Sequence, residues 1–348
     1  MRLLAPAALL LALLTPGCGI GGSASIEAPV AVYVSLPLTG PRGADGRDAA
    51  DGARLALEQA AGRAGSLRVD AIYLDDARGR TWDPVAVGAN ARAAVQDSSA
   101  AAYIGELDSE PTRASAPITN DAGLVQVSPG AGAVDLTQPA ASYPNTPDRY
   151  QPSGTPNFAR TVPADDVVVK AAATWASELG ATAALAGSDG SAFEDLAASE
   201  FRTAAGEHGI EVAPTLHGRK VALYSPSAGT IEFGGQHYAV SAELDPSRLP
   251  DETFSARFRQ RFHRDPGPYA AYGYAAMGLV LHAIGDAGTD ASSFRDKVRG
   301  AVFGAHLDGT VLGSYAITSV GDTTECMIQR YRIEGTTRIP LEAPCPTG

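Results

Sequence analysis

Lysine is nearly absent from this chain: of 348 residues only Lys170, Lys220 and Lys297, with arginine supplying the other positive charges and massing nowhere. Asp and Glu number 39 against 27 Lys and Arg, a formal charge of −12. Neutralising a phosphate backbone takes clustered cations, so nucleic acid is excluded as a partner. Catalytic signatures are missing too. There is no Gly-x-Ser-x-Gly elbow, His-Glu-x-x-His, phosphate-cradling glycine loop or Cys-x-x-Cys. The six histidines (208, 217, 237, 263, 282 and 306) are scattered, and no ligand spacing marks a metal site. Neither an enzyme, a cofactor nor a metal is expected. After residue 14 no apolar run approaches the roughly 20 residues of a membrane-spanning helix. No internal repeat breaks the chain.

The N-terminus is different. A single Arg2 precedes an almost pure Leu/Ala run, Leu3 to Leu14, too short to span a bilayer and followed by Thr15-Pro16-Gly17-Cys18. This predicts a signal peptide over 1–17, cut before a cysteine that then carries lipid, although Thr15 stands where Leu is usual. Residues 18–28 are then the lipidated Cys18 and a Gly/Ser-rich tether, holding a soluble body outside the cell membrane without spanning it. An ordinary secretory signal is the alternative. Of the three cysteines, Cys326 and Cys345 remain, a candidate disulfide in an oxidising compartment or else two free thiols.

Beyond the tether, 45% hydrophobic and 19% charged residues describe a globular body with room for one large or two medium domains. Strand-like and helix-like blocks alternate. Val30 to Leu36, Leu67 to Leu74, Ala101 to Ile104 and Leu124 to Val127 read as strands. Asp48 to Ala61, Pro84 to Gln96 and Pro111 to Ala122 read as helices between them. Residues 137–157, rich in Pro, Ser, Thr, Asn and Gly, read as a loop or a crossing between lobes. Alternation resumes with helices at 165–179 and 191–207 and strands at 181–186 and 210–212. Residues 213–250 are less regular; helices at 252–262 and 269–284 and a β-rich tail follow. Such alternation predicts an α/β fold of two helix-covered parallel sheets.

Five blocks together resemble the type I periplasmic binding proteins of branched-chain amino acid ABC transporters. They are Leu36-Pro37-Leu38-Thr39-Gly40-Pro41 with Asp51-Gly52-Ala53; Tyr103-Ile104-Gly105 through Val127-Ser128-Pro129; Phe158-Ala159-Arg160-Thr161-Val162-Pro163; Tyr269 to Ala276; and Leu312-Gly313-Ser314-Tyr315 with Gly321-Asp322. The resemblance implies two Rossmann-like lobes joined by a hinge, with residues 29–157 plus 247–312 in lobe one and 158–246 plus 313–348 in lobe two. It implies a small-molecule ligand, an amino acid or similar compound, clasped between the lobes and delivered to a transporter permease. A ligand-sensing or interaction lipoprotein with a degenerate cleft is the alternative.

Carried over by position, the ligand's polar groups fall to Ser109 and to the loop Ser128, Gly130, Ala131 and Gly132. Asp108 or Ser109 would cap a helix whose free backbone N–H groups face an incoming carboxylate. Asp45, Asp189, Phe193 and Tyr269 complete the candidate site. Three departures stand out. Gly132 lies where the family often has Thr. Asp45, Glu106 and Asp108 add negative charge that would repel an anion. A β-α-β unit is missing between Val212 and Tyr238, which predicts a reduced second lobe with a narrower sheet and part of its ligand wall lost.

Overall fold

The computed structural model describes residues 25–212, 220–226 and 229–342. The signal segment, Cys18 and Cys345 lie outside them. In the first lobe, β1 (Val30–Leu36) turns Val30, Val32, Val34 and Leu36 into one core and Ala31 and Tyr33 into another. A strand covered on both faces needs buriable residues throughout, hence its near-continuous apolar run. The chain continues through α1 (Gly43–Gln59), β2 (Arg63–Ala64), β3 (Leu67–Asp75), α2 (Pro84–Gln96), β4 (Ala100–Ile104), α3 (Ser109–Asp121), β5 (Val125–Ser128) and β6 (Phe158–Arg160). The sheet order is β2-β3-β1-β4-β5-β6, parallel except for β2. Local chemistry sets the helix starts: the Asp83 carboxylate accepts the N–H groups of Val85 and Ala86, and Pro84 occupies the first helical position.

The second lobe begins with α4 (Asp165–Glu178), β7 (Ala183–Ala186), α5 (Ala192–Glu207) and β8 (Glu211–Val212), followed by β9 (Val221–Ser225), β10 (Thr230–Phe233) and β11 (Gln236–Ser241). The chain then returns to lobe one for α6 (Phe254–Phe262), α7 (Ala270–Ala287), α8 (Phe294–Phe303) and the ribbon β12 (His306–Thr310) and β13 (Gly313–Ala316). Finally β14 (Gln329–Glu334) and β15 (Thr337–Pro340) complete a second sheet in the order β15-β14-β11-β10-β9-β7-β8. Pairing is parallel for β8-β7-β9 and antiparallel beyond.

Despite the unit expected to be missing, the second sheet holds seven strands to the first sheet's six. A hairpin fills the space, turning at Gly234-Gly235, both at positive φ, between strands whose last pair is Phe233 and Gln236. The shortening falls on helices, since among the described residues only α4 and α5 cover this sheet. One core, around Phe201, Tyr224, Ile231 and Trp175, holds the lobe together.

The lobe boundaries also move. Residues 137–157 are not a crossing: they leave and rejoin lobe one, ending in its edge strand β6. Tyr315 and Ile317 belong to the first core and Ile328 to the second, so the last crossing lies between them rather than at 312/313. The first crossing falls between Val162 and Val169, the second between Val240 and Leu244. Where they meet, Arg160 is fully buried and donates from Nε and Nη2 to Asp322 Oδ1 at 2.8 and 2.6 Å. Its Nη1 reaches the carbonyls of Ala131 and Ala133, tying the ligand-loop candidate to the hinge.

Candidate functional site

Two cavities, of about 270 and 430 Å³, open between the lobes and share Asp165 and Phe193 as walls. Open α/β sheets leave such crevices beyond the carboxyl ends of their strands, where loops present backbone and short polar side chains.

Lobe one contributes the start of α3. Asp108 sits at the N-cap position, yet its side chain makes no capping bond and instead pairs with Arg42 Nη2 at 3.1 Å. The first N–H groups of α3 are therefore left without a side-chain acceptor. Ser109 Oγ accepts the N–H of Ala133 at 3.1 Å and keeps its own proton to donate. Arg42, unforeseen in the sequence, also pairs with Asp45 and stacks over Tyr269, 5.3 Å from the ring centroid. Its Nε is buried without a partner. Burial raises the Asp108 carboxyl, against the lowering pull of Arg42. Arg113 lies over Tyr143 and is gripped by Asp135 at 2.6 and 2.8 Å and by Glu110 at 2.7 Å.

Lobe two contributes Asp165, in the first turn of α4, and Phe193, whose ring is 39% exposed and faces both cavities. Gly132 and Asp165 fit one another. The Asp165 N–H donates to Gly132 O at 2.8 Å, and a Cβ on Gly132 would stand 2.2 Å from Asp165 Oδ1. The carboxylate thus fills the volume a side chain at 132 would claim. It accepts no hydrogen bond among the described residues, and burial pushes its pKa up to about 6 despite the nearby Arg160 and Arg113. Tyr269 lines the smaller cavity with Glu243 and Arg338.

Several sequence candidates lie elsewhere. Ser128 is fully buried: its Oγ donates to Glu106 O at 2.6 Å and accepts from the N–H groups of Gly130 and Ala131. It shapes the loop and has no free valence for a ligand. Ala131 is buried and offers its carbonyl to Arg160, while Gly130 packs on Leu107 and borders the cleft. Asp189 is exposed and only closes the turn before α5, accepting the N–H of Ser191 at 2.7 Å, while Ser191 itself caps the helix. Asp45 borders neither cavity and answers Arg42. Glu106 lies beneath the cleft, accepting from Tyr103 Oη at 2.6 Å, its carboxyl pushed well above the usual range mainly by burial and then by Asp76. So Ser109, Asp108, Gly130, Gly132, Phe193 and Tyr269 come together, and Ser128, Ala131, Asp45 and Asp189 do not.

Asp165 was missed although the block ending at Pro163 stops two residues short of it; an acid opening a helix just after a crossing strand was the available signal. Arg42, Arg113 and Tyr143 carried none, because their convergence depends on how the loops fold. Cys326 is disulfide-bonded.

The profile of the periplasmic binding protein family matches residues 29–231. No protein in the curated set matches by sequence. Among solved structures, a leucine binding protein, LivK, of Thermotoga maritima is similar at 19% identity with a TM-score of 0.69, over 91% of this chain and 99% of that one. A substrate-binding protein of Desulfitobacterium hafniense in complex with Leu has 18% identity and a TM-score of 0.68, over 90% and 100%. A solute binding protein of R. palustris in complex with benzoate has 17% and 0.66, over 91% and 97%. Among the described residues no helix is long and apolar enough to cross a membrane. With a profile match over more than half its length and two lobes about a crevice, this chain belongs to the type I periplasmic binding proteins.

Proposed function

We propose that this protein captures a small organic solute between its lobes and passes it to an ABC transporter permease, held outside the membrane by lipid on Cys18. The observation that carries the reading is the cleft itself. From lobe one it receives the Ser109 hydroxyl and the uncapped N–H groups of α3; from lobe two, the Asp165 carboxylate and the Phe193 ring. Ligand docks on the Ser109 face, and closure adds the lobe-two groups, shifting the population toward a closed form. Relatives of this fold hold leucine or benzoate, so a solute of that size suits the cleft. Cys326 with Cys345 is the expected disulfide of the tail.

A thermal-shift screen of amino acids, amides, amines and small organic acids tests the reading, because any ligand bound by the native state alone must stabilise by mass action. No rise in melting temperature with any compound at millimolar concentration would sink solute capture. Ser109→Ala should weaken binding of a hit about tenfold while leaving the fold intact, as expected for one lost hydrogen bond to a charged group.

A further inference from the structure

The charges around the cleft do not balance. The two guanidinium groups lining the larger cavity each already face two carboxylates: Arg113 faces Asp135 and Glu110, and Arg42 faces Asp45 and Asp108. On the lobe-two side Lys170 bonds Asp166 at 2.9 Å and lies near Glu200, while Asp165 has Arg160 and Arg113 nearby but bonds neither. Asp165 and Glu200 accept no hydrogen bond among the described residues.

Asp165 and Glu200 both line a slot of about 10 Å³ whose other walls include Phe193, Tyr143 and the Arg113–Asp135 pair, in which the guanidinium is already neutralised. That is room for one water-sized group. It shares Tyr143, Asp165 and Phe193 with the larger cavity, so it forms the narrow end of the cleft. An ammonium group has that size. Two carboxylates and aromatic walls favour it over a carboxylate, which would meet repulsion, and over a methyl group, which would leave both acids unpaired.

We propose that the solute is an organic cation, a basic amino acid or short diamine, whose ammonium group enters the slot between Asp165 and Glu200. The proposal rests on the interlobe cleft being the ligand site. In the free protein, burial and then the neighbouring Asp166 lift Glu200 to about 7, as burial lifts Asp165. An ammonium would give both acids the directly bonded cation that neither Arg160, Arg113 nor Lys170 supplies.

Calorimetric titration of the full chain with putrescine, agmatine, L-arginine, L-leucine and benzoate distinguishes the cases. Saturable binding of at least one amine is expected, weakening as salt rises, with leucine and benzoate inert. Asp165→Asn and Glu200→Gln should each weaken the amine by at least about tenfold. Glu200 lies on the face of α5 and its variant carries the test if Asp165→Asn does not fold. Binding of leucine or benzoate with the amines inert would overturn the cation while leaving solute capture standing. Amine affinity unchanged in both variants would overturn the slot. Silence from all five, with no hit in the wider screen, would remove solute capture itself.

Discussion

At position 132 glycine leaves a space beside the backbone, and a carboxylate from the other lobe, Asp165, fills it. Gly132→Ala therefore places a methyl where Asp165 Oδ1 stands, 2.2 Å away, and must turn that carboxylate out. We expect ligand affinity to fall while the melting temperature of the free protein changes little; equal losses in both would mean the pair is structural only. A second residue acts below the cleft. Asp76 is fully buried, neither oxygen has a hydrogen-bond partner, and burial lifts it to about 8, with smaller contributions from Asp75 and Asp108. Glu325 is lifted similarly, to about 8. An acid whose folded pKa exceeds its unfolded one binds more protons in the native state between the two values. Stability should therefore decline as pH rises from about 4 to about 8. Melting curves across that window check this, and Asp76→Asn should flatten the slope. A melting temperature that rises through the window would contradict it.

Helices α1 and α7 show what two of the family-like blocks are for. Asp51-Gly52-Ala53 and Tyr269 to Ala276 meet face to face: a Cβ on Gly273 would stand 2.0 Å from Ala49 O, and one on Gly52 1.9 Å from Ala270 O. These residues are small because backbones touch there, not because a ligand does. Gly273→Ala should cost about 1–3 kcal/mol, read from denaturant unfolding, since neither backbone can yield cheaply. Strand β6 supplies the corresponding hinge element. Breaking the buried Arg160–Asp322 pair with Arg160→Met should destabilise by about 3–5 kcal/mol, because Asp322 keeps only the neutral donors Thr137 and Gln138 and loses its counter-charge. Loss of the guanidinium also frees the Ala131 and Ala133 carbonyls, so affinity should drop even in variants that remain folded.

For the whole molecule, the proposed closure predicts a smaller radius of gyration by small-angle X-ray scattering when a saturating ligand is present. An unchanged radius would leave the cleft rigid and remove the means proposed for a permease to distinguish loaded from empty protein. The proposed anchoring is separable from binding: Cys18→Ser should release the body from membranes without altering affinity for solute.

Sequence alone determined what periodicity and chemistry set locally. The doubly buried run of β1, the Asp83-Pro84 start of α2 and the order of the five blocks were all legible, and so was the two-lobed α/β fold. What it could not determine was whatever depends on distant segments converging. Helix α8 was passed over because only Val298 and Val302 of its ten residues are buried. The β9–β11 meander looked irregular because its one strong mark, Gly234-Gly235, sits between short strands. Ser128 and Ser109 look alike in sequence, yet one is locked under the loop and the other faces the cleft. The charge of the site was decided only in three dimensions. Arginines far apart along the chain each found two carboxylates, and Asp165 and Glu200 were left facing the space between the lobes.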